Sequence, residues 1–225
     1  MKKADFNKLE ELGRVQLSKS FFMREFLYSE ISQIEGIPNI PDALDLAIAA
    51  GKGLCENVLE PIQAALGRVS VRSGYRSCAV NNIGNKKGWN CAKNEANYAG
   101  HIWDKTQLDK QSGQEYMGAT ACIVVTSFIP YYQETGDWTT LAWWIHDHIK
   151  AYANMTFFPK FAAFNINWNN NPSNQQYIDS YVENPHTGKK GYLTKVGMDN
   201  FEGSHGDTYN EFILTLHRKE IGHDI

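Results

Sequence analysis

An arginine on a tight turn is the first candidate for chemistry in this sequence. Arg76 follows Ser73, Gly74 and Tyr75, directly after the short apolar run 69–71. A guanidinium presents its N–H donors in a planar fork, so an arginine fixed at the end of a strand can hold a carboxylate through two hydrogen bonds. The sequence therefore predicts a carboxylate-binding position at Arg76.

Three further residues are candidate metal ligands. His101 and Asp104 are three apart, so on one helical turn their side chains would converge, and Cys122 could complete a His/Asp/Cys set. Imidazole, carboxylate and thiolate are the ligands that zinc takes in proteins. Two other interpretations stay open. His101 could be a loop histidine bonded to backbone, and Cys122, which enters an apolar run, could be an inert core thiol rather than a nucleophile.

Other histidines lie close to aspartates. His146 and His148 flank Asp147. Residues two apart on a helix point to nearly opposite sides, so this is not a chelating pair, and packing against the adjacent tryptophans is expected. His205 stands in a glycine-rich turn and is a further candidate for the cleft.

These residues must be positioned by helices that precede a set of strands. Helices are predicted at 5–16, at 21–31 with Ser20 as N-cap, at 41–66, at 137–152 and at 207–217. Strands are predicted at 68–72, 118–128 and 157–168, whereas 82–115 shows little periodicity. Helices first and strands later indicate an α+β fold.

Composition narrows the class of protein. The chain has 225 residues and a formal net charge of −3, which fits one domain and gives no electrostatic reason to expect a nucleic-acid partner. No run approaches the roughly 20 apolar residues of a membrane span. Residues 1–16 lack the apolar part of a secretory signal, so synthesis in the cytoplasm is expected, with free thiols by default. Cys78 and Cys91 bracket a polar loop and could pair if the protein is released.

The segment from Ser20 to Arg76 carries a family resemblance. Its text is "SKSFFMREFLYSEI", "GIPNIP" and "LCENVLEPIQAALGRVSVRSGYRS", followed by Asn81. It resembles the start of the M15-type zinc D-Ala-D-Ala carboxypeptidases and phage endolysins, which share the hedgehog/D-Ala-D-Ala-peptidase fold. The resemblance implies a single domain, 1–225, with N-terminal helices followed by a small antiparallel sheet. On that fold, 82–115 would be an irregular insertion and 172–225 a C-terminal extension. Arg76 matches the arginine that holds the substrate's carboxylate or the developing oxyanion.

The second half matches the family's zinc ligands less directly. The stretch "EYMGATAC" places Cys122 where the family has an aspartate, with His101 as a displaced histidine ligand. The stretch "FPKFAAFNIN" places Asn165 at a histidine position and Asn167 at an aspartate position. A neutral amide is a poor ligand for zinc. Alternation along a strand still puts Asn165 and Asn167 on one face, as a site requires.

Two tryptophans flank the predicted site strands. Trp103 and Trp168 are candidates for stacking on a glycan or peptide, and packing in the core is the alternative.

Three functions remain open at this point. The first is a zinc-dependent hydrolase of peptidoglycan stem peptides, of the D,D-carboxypeptidase or endolysin type. The second is a metal-free module that binds cell wall or peptide through Arg76, Asn165, Asn167 and Trp168. The third is a structural component, for instance of a phage particle, with a vestigial cleft. Release from the cell or association with a virion would follow from the phage interpretation.

Overall fold

The fold is α+β, as the sequence predicts. The computed structural model describes residues 3–221. Its α-helices are α1 (Lys3–Gly13), α2 (Glu30–Glu35), α3 (Leu44–Leu54), α4 (Glu60–Leu66), α5 (Cys78–Lys86), α6 (Asn94–Asn97), α7 (Ile129–Thr135), α8 (Thr139–His148) and α9 (Gly206–Ile221). Its strands are β1 (Val69–Ser73), β2 (Gln107–Leu108), β3 (Glu115–Tyr116), β4 (Gly118–Val125), β5 (Asn154–Phe157), β6 (Phe164–Asn169), β7 (Tyr177–Ser180) and β8 (Gly191–Lys195). Within residues 3–221, no helix combines the length and apolar character that crossing a membrane requires.

The main sheet is larger than the small antiparallel one expected, and it is mixed. Its six strands lie in the order β1-β4-β6-β5-β7-β8, while β2 and β3 form a separate hairpin. All neighbours are antiparallel except β5 and β7, which are parallel. The parallel pair arises because β6 forms a hairpin with β5, and the chain then reverses again and passes to the far side of β5. The predicted C-terminal extension thus supplies two strands of the sheet as well as α9.

The two faces of this sheet differ in character. One face is apolar, with Ala121, Ile123 and Ile166 fully buried, and α3 packs against its strands β4 and β6. The opposite face carries polar side chains at the alternate positions. Register aligns five of them in a row across five strands: Ser73, Cys122, Asn165, Thr156 and Asp179. Because side chains alternate along each strand, this row projects away from the core.

A β-bulge in β1 determines that Ser73 points to the polar face of the sheet. Val71 pairs with Ile123, yet Ser73 pairs with Cys122, so two steps along β1 match one step along β4. The extra residue, Arg72, is exposed. The bulge leaves Val71 on the core face and turns Ser73 to the polar face.

The long helix predicted at 41–66 is present as one continuous run from α3 to α4. It begins at Leu44 because Ala43 is extended, and the π-helical segment Cys55–Leu59 interrupts it. Gly53 gives α3 its close contact with the sheet. A Cβ at this glycine would lie 2.2 Å from the ring of Trp168 on β6, so only glycine lets the indole pack there.

The helix predicted at 21–31 is wrong in its extent. A 3₁₀ turn, Met23–Phe26, is followed by α2, whose N-cap is Ser29, with its side chain accepting from the Ser32 amide. Ser20 does not cap a helix. Its backbone and hydroxyl instead donate to the carboxylate of Glu60 in α4, and this long-range contact replaces the local cap.

Asparagine side chains order the region predicted as an irregular insertion. Asn81 Nδ2 donates to the carbonyl of Ala92 at 3.0 Å, and Asn85 Nδ2 donates to the carbonyl of Cys91 at 2.7 Å. Asn97 Nδ2 in turn donates to Asn81 Oδ1 at 3.1 Å. Amides that bridge backbone in this way fix a loop with few apolar residues. The loop 88–92 therefore forms a defined wall beside the sheet.

Candidate functional site

A cleft of about 1240 Å³ opens on the polar face of the sheet. Its floor includes Cys122, Asn165 and Thr156, which are consecutive members of the polar row. One wall comes from α2 and the residue before it, and another comes from the loop 88–92. Arg76 lies at the end of this cleft where β1 stops.

The turn that carries Arg76 is held rigidly by backbone and amide contacts. Asn39 Nδ2 donates to the carbonyl of Tyr75 at 2.9 Å, and its Oδ1 accepts from the Ser77 amide at 2.7 Å. The Arg76 amide donates to the carbonyl of His101 at 2.8 Å. Gly74 is required here because a Cβ would lie 2.8 Å from Phe26. The guanidinium is consequently presented from a fixed backbone.

The guanidinium itself is only partly used by the protein. Nη1 of Arg76 donates to Sγ of Cys91 at 2.8 Å. Nε is buried and has no hydrogen-bond partner among the described residues. A buried donor without a partner is costly, and a bound anion would satisfy it. This geometry suits the carboxylate-binding role predicted for Arg76.

His101 is buried beside Arg76 as a neutral ring. Its Nδ1 lies 2.8 Å from the carbonyl oxygen of Gly74, so Nδ1 carries the proton and donates. Burial, followed by the positive charge of Arg76, lowers the pKa of His101 to about 3, against the opposing effect of Gly74 and Asn165. His101 lines the cleft. It also makes the hydrogen bond to backbone that the alternative interpretation of this histidine predicts.

Cys122 and Asn165 lie opposite each other on β4 and β6 and both line the cleft. Burial raises the pKa of the Cys122 thiol, although Arg72 and Arg76 act in the opposite direction. Cys122 therefore remains a thiol rather than a nucleophilic thiolate near neutral pH. The four cysteines, including Cys78 and Cys91, are free.

The structure places four of the predicted site residues away from the cleft. Asn167 is buried under the loop around Ala99, where its Nδ2 donates to Thr120 Oγ1 at 2.8 Å. Asp104 turns away and accepts from the Asp42 amide at 2.7 Å.

The two tryptophans pack within the protein. Trp103 is fully buried, and its Nε1 donates to the carbonyl of Thr120 at 3.2 Å. Trp168 lies on the core face of β6 against Gly53, since it is one position out of phase with Asn165 and Asn167. Neither indole contributes to the cleft.

The residues at the cleft do not fit a zinc ion held by three protein ligands. His101 and Cys122 offer a nitrogen and a sulfur, but the third position is the amide of Asn165, and Asp104 is turned elsewhere. Among the side chains of residues 6–218, one group of His, Cys, Asp or Glu brings three ligand atoms within 4.8 Å of one another, and it lies elsewhere.

That group is His146, Asp147 and His205, and it could hold a metal ion. Its ring nitrogens already have partners. Those of His146 lie 2.6 Å from the Tyr152 hydroxyl and 2.7 Å from the Phe201 carbonyl.

The ring nitrogens of His205 are engaged in the same way. They lie 2.7 Å from Asp147 Oδ1 and 3.0 Å from the Asn200 carbonyl. The His205 ring also stacks on Trp143 at 3.8 Å. A metal would have to displace these contacts, so the group fastens α9 and the preceding loop to α8.

Several residues of the cleft could not be recognised from sequence. Cys91 contacts Arg76, Thr156 continues the polar row, and Trp89 and Tyr181 stand at the rim. Thr156 lies on a four-residue strand, and only its pairing with Asn165 places it in the site. Comparisons with protein-family models, curated proteins and solved structures gave no match to this chain.

Proposed function

We propose that this chain is a peptide-binding protein on a fold of the hedgehog/D-Ala-D-Ala-peptidase type, whose cleft holds the carboxylate end of a peptidoglycan stem peptide without hydrolysing it. The observation that carries the proposal is the guanidinium of Arg76. It lies in the cleft on a rigid turn, and its Nε is buried without a partner among the described residues. A carboxylate accepts two parallel N–H bonds from such a group.

The arrangement of strands supports the link to that fold. The resemblance places Arg76, His101, Cys122 and Asn165 in one site, although 89 positions separate the first from the last. In the structure β1, β4 and β6 are neighbours, and all four residues line one cleft. Residues so distant in sequence would not meet by local structure alone.

The chemistry of the cleft favours binding over hydrolysis. Hydrolysis at a zinc site needs three protein ligands and an activated water, and Asn165 occupies one of the required positions. A metal-free route would need a nucleophile or a base. The raised pKa of the half-buried Cys122 thiol and the lowered pKa of buried His101 both work against such a role near neutral pH.

A zinc hydrolase is the second candidate, because His101 and Cys122 are both residue types that bind zinc and both line the cleft. If zinc were bound there, these two residues would hold it, and Arg76 would orient the peptide carboxylate. The ion would then supply the activated water.

One experiment separates the candidates. The purified protein, prepared without a chelator or histidine tag, is analysed for metal content. It is then titrated calorimetrically with Nα,Nε-diacetyl-Lys-D-Ala-D-Ala and with the same peptide as its C-terminal amide. We expect no stoichiometric zinc, no release of D-alanine, and binding of the acid that is at least about tenfold tighter than binding of the amide.

The other outcomes are equally specific. Zinc bound per chain together with release of D-alanine would replace the binding proposal with the hydrolase. Failure to bind either peptide, with no metal present, would overturn both and leave a structural role.

A further inference from the structure

The polar row extends past the cleft floor to a second charged group. After Cys122, Asn165 and Thr156, the next strand places Asp179 directly beside Thr156. Neighbouring strands are about 4.8 Å apart, so Asp179 stands about 14 Å from Cys122 across three strand spacings. Arg76 stands at the Cys122 end of this row. The row therefore has a cationic group at one end and an acidic group at the other.

Asp179 has an unusual environment for a surface strand. The residue is half-buried, and its Oδ1 is buried without a hydrogen-bond partner among the described residues. Burial raises the pKa of Asp179, and the Thr156 hydroxyl offsets this only in part. A buried carboxylate oxygen without a donor costs stability unless a ligand supplies the donor. Among the side chains of residues 6–218, no lysine or arginine lies within 4.0 Å of this carboxylate.

Two tyrosines share the face of the sheet on which this carboxyl group lies. Tyr192 on β8 pairs with Asp179, and Tyr177 precedes Asp179 by two positions on β7. Tyr177 and Tyr192 meet edge to face at 5.7 Å. Tyrosine faces attract cations, as the ring of Tyr192 shows by holding Lys195 Nζ at 4.7 Å from its centroid.

We infer that the Asp179 carboxylate, Tyr177 and Tyr192 form a subsite for a primary amine of the bound peptide, so that the protein recognises a peptide by its carboxylate at Arg76 in the cleft and by an amine at Asp179, further along the same polar row. This inference rests on the proposed function, since it assigns the second charged group of the same ligand. Between the two ends, Asn165 and Thr156 offer amide and hydroxyl groups that can hydrogen-bond a peptide backbone.

The separation of the two ends limits the ligand. Three extended residues reach about 10 Å, and the four methylenes of a lysine side chain supply the remainder. A diamino acid two residues before the terminal carboxylate therefore spans the row. A peptide whose amine lies next to its carboxylate is too short to reach both ends.

The test compares two peptides that differ only in that amine. Nα-acetyl-Lys-D-Ala-D-Ala has a free side-chain amine, and Nα,Nε-diacetyl-Lys-D-Ala-D-Ala has none. Both are titrated calorimetrically into wild type, Asp179→Asn and Glu183→Gln. Glu183 is exposed nearby and supplies the matched control, because its substitution removes one negative charge outside the row.

We expect wild type and Glu183→Gln to bind the free amine about tenfold more tightly than the acetylated peptide, and Asp179→Asn to bind the two peptides within about twofold of each other. Equal affinity of wild type for both peptides would overturn the amine subsite while leaving the carboxylate site intact. A preference that persists in Asp179→Asn would place the amine elsewhere and also overturn it. Binding of neither peptide would remove the proposed function together with this inference.

Discussion

Nη1 of Arg76 lies 2.8 Å from Sγ of Cys91, so a thiol on the loop 88–92 holds the arginine that faces the cleft. The loop and the turn after β1 are separated by α5 in sequence, and this contact joins them. The thiol orients the guanidinium without neutralising it. The arginine therefore keeps its charge for a ligand.

Arg76→Ala is expected to abolish selective binding of a peptide carboxylate. Truncating one partner of a desolvated charge pair costs about 2–5 kcal/mol, so affinity for diacetyl-Lys-D-Ala-D-Ala should fall at least about thirtyfold. Arg68→Ala removes an exposed arginine before β1 and is the control. Calorimetry on the two variants checks this, with circular dichroism to show that both fold. Unchanged affinity in Arg76→Ala would exclude the residue from the site.

Cys91→Ala is expected to weaken the same binding by a smaller amount, because it frees the guanidinium without removing it. We expect a loss of about three- to tenfold, the equivalent of one modest hydrogen bond. Cys78→Ala, which changes a free thiol at the start of α5, should retain the wild-type affinity. Identical affinities for the two cysteine variants would show that Cys91 does not position Arg76.

Buried His101 makes stability dependent on pH. Burial lowers its pKa to about 3 from 6.5, so the unfolded chain binds one more proton than the folded protein between these values. The contribution of neutral His101 to the free energy of unfolding is complete above the pKa that this histidine has in the unfolded chain. It is lost as the pH falls, by up to about 1.4 kcal/mol per pH unit. His146, whose pKa burial also lowers, acts in the same direction.

His101→Asn tests that dependence, because asparagine can still donate to the Gly74 carbonyl but does not titrate. Urea unfolding at several pH values between about 4.5 and 7 should show a slope reduced by about one proton in the variant. Equal slopes for wild type and variant would mean that His101 takes up a proton in the folded state.

Gly53→Ala is expected to destabilise the fold despite the higher helix propensity of alanine. The added Cβ would lie 2.2 Å from the Trp168 ring, and overpacking of this kind costs about 1–3 kcal/mol. Lys52→Ala, at the adjacent exposed position of α3, should be close to neutral. In a Trp168→Leu background the cost of Gly53→Ala should shrink. Chemical denaturation of wild type, Gly53→Ala, Trp168→Leu and the double variant would show this. An undiminished cost would locate the strain elsewhere.

Asp147→Asn is expected to loosen α9 from α8. Asp147 accepts from the amide and ring of His205 and from the Tyr209 hydroxyl. Burial acts to raise the pKa of Asp147, but these bonds outweigh it and hold the pKa below its usual value. The stability that the ionised Asp147 carboxylate contributes is present at pH values above the ordinary pKa of a carboxyl group and is lost in acid. We expect a loss of about 3 kcal/mol and faster amide exchange in α9, with exposed Asp207→Asn as control.

The same variant tests metal binding by this group. Since the ring nitrogens are already hydrogen-bonded, we expect zinc to leave the melting temperature of wild type unchanged. An increase that a chelator reverses, and that Asp147→Asn lacks, would establish His146, Asp147 and His205 as a metal site.

The sequence predicts well what depends on periodicity. The buried strand β4 and helix α8 carry long apolar patterns, and their positions are confirmed. Cys122 and Asn165 could be assigned to one site from the sequence because the resemblance supplied a site position for each. Thr156 could not be placed there, because its position follows from the pairing of the short strand β5 with β6. Asp179 could not be placed either, because its position follows from the parallel contact between β5 and β7, which no local pattern encodes. Trp168 is predicted in the site because it follows Asn167 in the sequence. Neighbouring residues on a strand point to opposite faces of the sheet, so the ring of Trp168 packs on the core face instead.

The bulge in β1 separates two parts of the strand whose side chains alternate with opposite phase. Residues up to Val71 alternate in step with the core, whereas Ser73 and the turn that follows alternate in step with the cleft. If Arg72 were drawn into regular pairing with β4, Ser73 would fall in phase with Val71 and turn toward the core, and the turn that carries Arg76 would move with it. The bulge therefore lets the core-facing and the cleft-facing parts of β1 keep separate alternation, because the extra residue Arg72 absorbs the change of phase between them.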